Sequence, residues 1–230
     1  MGAGPASAQY GQPAPSQPPP QQGGGGQEVN AEGNVFTGGL RFNPEGVGVK
    51  VGETVRWRNT DEFVPHTATE DHGLWDLTGT YGQTPANPPG FGPGETRERR
   101  FEAGTHKYFC KVHPAEMRGT VSVPVTLGKT KLRTKKELRV LAKLPKAARR
   151  VRAVKATWAP GAPDEGLVYD VERRKGTRGA WKPFRTGTRK PGGTFRSGKK
   201  GNVWQVRARL RRPSDAGAAT DWSPEASIKR

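Results

Sequence analysis

The stretch YFCKVHPAEMRGTVSV, Tyr108 to Val123, holds the only cysteine of the 230-residue chain, three residues before a histidine and seven before a methionine. The chain has one other methionine, Met1, so the sole cysteine and the sole internal methionine fall within eight residues, with His113 between them. Taken singly, each residue has an ordinary explanation. A lone Cys110 reads as a buried inert thiol, Met117 as core packing and His113 as a surface residue. Taken together they form C-x2-H-x3-M, and a further histidine, His66 in VPHTATE, lies 44 residues upstream of the cysteine.

That set of donors has a definite chemistry. A thiolate is a soft, strong donor to copper, imidazole binds both Cu(I) and Cu(II), and a thioether serves as a weak, long axial ligand. Two histidines and a cysteine in a trigonal arrangement with an axial methionine make up a blue-copper electron-transfer site. Structural zinc, the chief competitor, takes four Cys/His ligands and has little use for a thioether. If Tyr108–Cys110 ends one strand and Gly119–Val123 begins the next, a single turn presents three of the ligands.

The flanking sequence supplies such a scaffold. In FNPEGVGVKVGETVRWRN, Val49 and Val51 alternate with Lys50, and Val55, Trp57 and Asn59 alternate with Arg56 and Arg58, as in half-buried strands. NTDEFVPH and TPANPPGFGPGE are turn-rich, the second too dense in Pro and Gly for a central strand. RERRFEAGTHKYFC and GTVSV read as two more strands. Short strands separated by Gly/Pro turns over about 95 residues fit a β-sandwich or barrel.

With those motifs in order, residues from about Val29 to Val125 resemble the cupredoxins, nearest to the plastocyanin, pseudoazurin and amicyanin type. The resemblance rests on VKVGETVRWRNTDEFVPHTAT and FEAGTHKYFCKVHPAEMRGTVSV. It implies a Greek-key β-sandwich binding one copper per chain, cycling between Cu(I) and Cu(II), with His66, Cys110, His113 and Met117 as ligands. It also implies a backbone N–H donated to the cysteine sulfur, the Pro65 carbonyl turned towards the metal, and the ring edge of His113 as the electron's port. The chain departs from the family pattern in three places. Three residues separate His113 from Met117, Thr67 stands where many members have the asparagine that ties the two ligand loops together, and His106 stands where an aromatic is common.

Beyond the linker, VRAVKATWAPG, LVYDVERR and VWQVRARL alternate as strands. Leu167, Tyr169 and Val171 share one face, and Trp204, Val206, Ala208 and Leu210 share another, opposite Arg207 and Arg209. Trp158 in VKATWAPG and VWQVRARLRR followed by ATDWSPEASI resemble a fibronectin type III module, with Trp158, Tyr169, Trp204 and Trp222 as core aromatics. The expected organisation is therefore all-β: a Gly/Pro/Gln-rich disordered tether at 1–28, a copper-binding domain at 29–125, a basic linker at 126–144 and a fibronectin type III-like domain at 145–230. Lys135 to Leu144 fits either a short helix or a first strand.

Charge divides the same way. Residues 1–127 carry 10 Lys+Arg against 13 Asp+Glu, a net of −3, and residues 128–230 carry 29 against 8, a net of +21. The basic half suits an anionic cell-envelope polymer, a membrane surface or an acidic redox protein, or else it is simply a solvated basic surface. No nucleic-acid-binding motif accompanies it, and no nucleic-acid partner is expected. The first 27 residues have no charged side chain, a composition that cannot offset chain entropy by burial. Within them, Ala6-Ser7-Ala8 has the form of a signal-peptidase site without the basic and apolar regions that precede one. It reads either as ordinary low-complexity sequence or as the end of a truncated signal peptide of an extracytoplasmic protein.

Catalysis is not expected. Glu62, Glu70 and Asp71 are scattered carboxylates, four histidines are too few for a multicopper oxidase, and no nucleophile–base pair stands out. His72 and His106 read as exposed polar residues, and Trp57 and Trp75 as packing. The sequence thus points to a monomeric one-electron carrier serving a redox protein donor and acceptor. The alternatives are a copper chaperone or buffer without redox turnover, and an adhesion or structural protein.

Overall fold

The structure, a computed structural model, describes residues 26–34, 38–81, 89–132 and 151–230. Among these residues all regular secondary structure is strand, and no helix is long and apolar enough to cross a membrane.

The N-terminal unit consists of two four-stranded sheets. One runs in the order β2 (Gly38–Asn43), β1 (Gln27–Asn34), β4 (Thr54–Asn59), β6 (Thr96–Arg100). The other runs β3 (Gly46–Gly48), β8 (Arg118–Val123), β7 (Gly104–Phe109), β5 (Thr69–Glu70). The β1–β4 and β3–β8 pairs are parallel and the rest antiparallel. Alternation decides which side chains enter the space between the sheets. In β4, Val55, Trp57 and Asn59 are buried while Arg56 and Arg58 face solvent, because successive residues of a strand point to opposite faces. Trp57 stands at the centre of the core, with the rings of Trp75, Phe101 and Tyr108 at 5.9, 6.0 and 5.4 Å.

RERRFEAGTHKYFC is not one strand but two, β6 and β7, in different sheets. The backbone of Phe101 is taken up by Gly52 and Glu53, at 2.8 and 3.0 Å, and the Ala103 N–H donates to the Trp158 carbonyl. Those bonds end the first sheet and carry the chain across to the second. Gln27 and Glu28, read as tether, belong to β1, opposite Val55 and Arg56.

The C-terminal unit pairs a three-stranded sheet with a four-stranded one. The first has the order β13 (Gly192–Arg196), β10 (Val151–Thr157), β9 (Thr126–Leu132). The second has the order β12 (Lys182–Thr188), β11 (Val168–Lys175), β14 (Val203–Arg211), β15 (Ala226–Lys229). Every neighbouring pair is antiparallel. Residues 126–132, assigned by sequence to the basic linker, are β9, in register with the whole of β10 from Thr126↔Thr157 to Leu132↔Val151. Their Lys129 and Lys131 resemble linker composition, but a strand at a sheet edge tolerates such residues on its solvent side. The remainder of that linker with Lys135–Leu144, the tether through residue 25 with Ala6-Ser7-Ala8, and residues 84–88 of the Pro/Gly-rich segment lie outside the described residues.

Leu167, Tyr169, Val171, Val206, Ala208 and Leu210 are buried as their alternation predicts, and Trp158 is fully enclosed. Trp222 is different. It lies on the outer face, with the guanidinium groups of Arg207 and Arg209 at 4.6 and 4.7 Å from its ring. Arg207 also stacks on Trp181 at 4.4 Å, as does Arg174 on that ring. The alternate arginines of β14, opposite its apolar face, thus find aromatic partners supplied by loops.

The two units meet through backbone. Thr105 and Asp221 form an antiparallel bridge, with N–H···O distances of 3.1 and 3.2 Å, and Thr105 Oγ1 donates to the Trp222 carbonyl at 3.0 Å. Lys107 pairs with Asp221 at 2.7 Å. Next to this seam His106 is fully buried, contrary to its reading as an exposed residue. Its position in β7 points it inward, and two partners satisfy it. Nε2 lies 3.1 Å from the Glu102 carbonyl and Nδ1 3.4 Å from Trp75 Nε1.

Candidate metal centre

Cys110 follows the last residue of β7, and Arg118 opens β8 opposite Phe109 in the ladder. The eight residues between Phe109 and Arg118 form a loop closed by its own backbone. Cys110 N–H donates to the Met117 carbonyl (3.0 Å), His113 N–H to the Cys110 carbonyl (3.2 Å) and Met117 N–H to the His113 carbonyl (3.0 Å). The C-x2-H-x3-M spacing therefore corresponds to two local turns, and no ligand candidate floats on an unanchored segment. Gly119 makes the exit possible, because a Cβ there would sit 2.3 Å from the Tyr108 ring.

His66 comes from the opposite side. Its N–H and C=O exchange bonds with Phe91 at 3.1 and 2.8 Å. The neighbouring Gly90 leaves room for this pairing, since a Cβ there would approach the His66 carbonyl oxygen to 2.6 Å. The turn before His66 is organised by two buried side chains. Asn59 donates through Nδ2 to the carbonyls of Val64 and Phe91, both at 2.9 Å, and accepts the Asp61 N–H. Asp61 accepts the Phe63 and Val64 amides on Oδ1.

The outcome is a convergence of three donor groups. Cys110 Sγ lies 3.7 Å from His66 Nδ1 and 3.9 Å from His113 Nδ1, and the ligand atoms of the three residues all fall within 4.8 Å of one another. Donors at about 2.0 Å (N) and 2.3 Å (S) from one ion, roughly 120° apart, lie about 3.7 Å from each other. The triangle therefore has the size of a metal's coordination sphere, and its donor set is that of soft, imidazole-accepting copper. Cys110, His66 and Met117 are fully buried, while His113 is partly exposed. The sulfur also receives the Thr67 N–H at 3.3 Å, the backbone contact that the family resemblance implies.

Burial sets the protonation state of the two imidazoles. Burial, reinforced by the neighbouring His113, pushes the His66 pKa from 6.5 down to about 4, against an opposing pull from Asp61. Burial also lowers that of His113. Both rings are thus neutral at physiological pH, as a metal ligand must be. His66 Nε2, on the side of the ring away from the sulfur, faces Asp61 Oδ2 at 3.6 Å. Both atoms are buried and neither has a hydrogen-bond partner, so the carboxyl group acts on the ring as a close polar neighbour behind it, pulling its pKa upward against burial.

The sequence motifs identify His66, Cys110, His113 and Met117 but not the roles of Asn59 and Asp61. The signal was present as an Asn-x-Asp at the end of a strand, a pattern whose side chains bond to nearby backbone. His72 stands apart from the cluster. Its side chain is half exposed and its Nδ1 lies 3.3 Å from the buried Glu70.

The comparisons with known proteins fall on this unit. The family model described as copper binding proteins, plastocyanin/azurin family, matches residues 29–124. The plastocyanin of Scenedesmus fuscus is 37% identical over 99 residues, which cover 42% of this chain and 99% of that protein. Among solved structures, a purple cupredoxin from Nitrosopumilus maritimus is 30% identical over 42% of this chain and 98% of its own, with a TM-score of 0.32. A variant of amicyanin in its reduced Cu(I) form is 27% identical over 43% of this chain and 82% of its own, with a TM-score of 0.30.

Proposed function

This chain belongs to the plastocyanin/azurin family of copper-binding proteins, and from that membership we propose that His66, Cys110, His113 and Met117 hold its copper as a blue electron-transfer site. The observation that carries the reading is the triangle of Cys110 Sγ and the two histidine Nδ1 atoms, already at metal-sharing distances. Copper supplies one-electron Cu(I)/Cu(II) chemistry. The chain's residues supply the rest. Cys110 and the two imidazoles offer three strong donors, and the buried Met117 offers a weak fourth. The Thr67 N–H withdraws density from the sulfur, and the Asp61 carboxyl group stands behind the His66 ring. The backbone bonds of the 110–117 loop keep the ligands from rearranging when the charge of the site changes, which is the condition for fast transfer. His113, the one partly exposed donor, gives an electron its route to a protein partner.

The test is a visible absorption titration with Cu(II), alongside a Cys110→Ser variant. An intense blue band that saturates at one equivalent and is absent from the variant supports the assignment. A colourless protein that takes up zinc, or no metal, overturns it.

The same proposal extends to the rest of the chain. The C-terminal unit is read as a fibronectin type III-like module, a reading supported by its three- and four-stranded antiparallel sheets and by the enclosed Trp158. On this reading β9, which pairs along the whole of β10, is counted with the module. The protein acts as a monomeric carrier outside the cytoplasm, between a redox donor and a redox acceptor. Its basic module docks it to an anionic envelope polymer or membrane surface, so binding weakens steeply with salt.

A further inference from the structure

Thr67, next to the ligand His66, and Lys111, next to the ligand Cys110, are joined by a hydrogen bond from the Lys111 N–H to Thr67 Oγ1 at 2.8 Å. The bond spans the two loops that carry the donors. A hydroxyl is a poorer clamp than an amide side chain, because it rotates freely about its C–O bond. Here that freedom is removed. Since Thr67 Oγ1 already accepts the Lys111 amide, its own proton is directed to Thr69 Oγ1, 3.2 Å away. Thr69 in turn donates to Asp76 Oδ1 at 2.9 Å. Asp76 is itself fixed by the Thr78 N–H and hydroxyl on Oδ1, at 3.0 and 2.6 Å. Its Oδ2 receives the ammonium of Lys111, the residue where the chain of bonds began.

The result is a closed ring: Lys111 N–H to Thr67, Thr67 to Thr69, Thr69 to the Asp76 carboxylate, and back to Lys111 through its side chain. The Thr67 and Thr69 hydroxyls each have one acceptor in it, while the Lys111 ammonium also reaches Thr78 Oγ1 at 3.4 Å. Thr67 is fully buried and Thr69 nearly so, so a broken link on that side leaves a polar group without water to replace its partner. The Lys111–Asp76 ion pair is half exposed and is the weaker part of the ring.

We propose that Thr69 and Asp76 are positioning residues of the copper site, setting the separation of the His66 and Cys110 loops through the Thr67 hydroxyl. The proposal rests on the copper reading above, and it goes beyond the ligands to two residues outside the donor set. The deciding experiment is a double-mutant cycle on copper-loaded protein that pairs Thr69→Val with Thr67→Asn. Reduction potential and the position of the thiolate-to-copper absorption band are the readouts. An asparagine at 67 can hold the Lys111 amide with its own carbonyl oxygen and does not need Thr69. The expected result is a shift of both quantities on Thr69→Val alone, in the same direction as on Asp76→Ala, and little or no shift from Thr69→Val in the Thr67→Asn background. Lys111→Met, which keeps the backbone donor, shifts both less than Asp76→Ala. Thermal unfolding of the metal-free variants establishes that each is folded. An unchanged potential and band in a folded Thr69→Val protein overturns the proposal, as does an equal shift in both backgrounds. Absence of the blue band from the unsubstituted protein would instead count against the copper reading itself.

Discussion

The buried His106 gives a pH dependence that can be worked out from its two neighbours. The Trp75 indole can only donate and the Glu102 carbonyl can only accept, so Nδ1 accepts from the indole and the proton resides on Nε2. Adding a second proton would place N–H against N–H at Trp75, and burial disfavours the charge. Its pKa is accordingly held below 6.5, chiefly by burial and next by the facing Arg99, with Glu102 and Glu70 pulling the other way. In the unfolded chain the same ring titrates near its ordinary value of about 6.5. Between the two values the unfolded state binds the proton and the folded state does not. Stability is therefore fully present above pH 6.5 and falls as the pH drops below it. If the folded ring stays neutral down to pH 5, the loss between pH 7 and pH 5 reaches at most about 2 kcal/mol, and the limiting slope is ~1.4 kcal/mol per pH unit. His106→Gln removes the titration while keeping one acceptor and one donor. Urea unfolding at pH 7, 6 and 5 on both proteins isolates the contribution, because the titration of His66, His113 and the carboxylates cancels in the difference. The wild type should lose more stability than the variant over that range, by no more than about 2 kcal/mol. Curves that run parallel within about 0.3 kcal/mol would falsify the claim that this ring is buried neutral.

Three further outcomes follow from the site and its surroundings. If His66 holds the copper as proposed, Asp61→Asn removes a carboxylate one imidazole away from it, which at an effective dielectric near 20 is worth about 2 kcal/mol, so the reduction potential should rise by roughly 90 mV; voltammetry that finds no rise counts against Asp61 as the group behind His66. Gly90→Ala forces a Cβ against the His66 backbone and should cost about 1–3 kcal/mol, together with weaker copper retention in a chelator competition; a neutral result would mean the Phe91–His66 pairing is less tight than it looks. The Asp170 carboxyl is held below its ordinary pKa because the Gly187 amide, Arg211 and Arg209 outweigh its burial. Its contribution is present above pH 3.8 and lost as the pH falls through the lower folded value. Asp170→Asn should therefore flatten acid unfolding monitored by tryptophan fluorescence, and an unchanged acid limb would refute that.

Some of this was legible in the chain because it depends on spacing and residue type alone. Donor chemistry is intrinsic to Cys, His and Met, and eight residues can close only one short loop, so Cys110, His113 and Met117 had to lie near one another wherever that loop stood. Alternation in TVRWRN and VWQVRARL follows from the two-residue period of a strand, so their buried faces needed no tertiary information. The existence of two all-β units followed from the same period and from the turns between them. Residues whose role depends on what arrives from elsewhere were not legible. His106 is a polar residue in a strand, and only the arrival of Trp75 and the Glu102 carbonyl makes burial tolerable. Trp222 has a core aromatic's composition but sits between two arginines, because the loop carrying it crosses the outer face of β14. Residues 126–132 look like a charged linker until β10 pairs with them. The assembly of the site belongs with these. His66 is 44 residues from Cys110 in sequence, and no local rule sets their separation. The pairing of β5 with β7, the His66–Phe91 bridge and the bonds of Thr67 to Cys110 and Lys111 fix that distance, because hydrogen bonds across loops are made only once both sheets have closed.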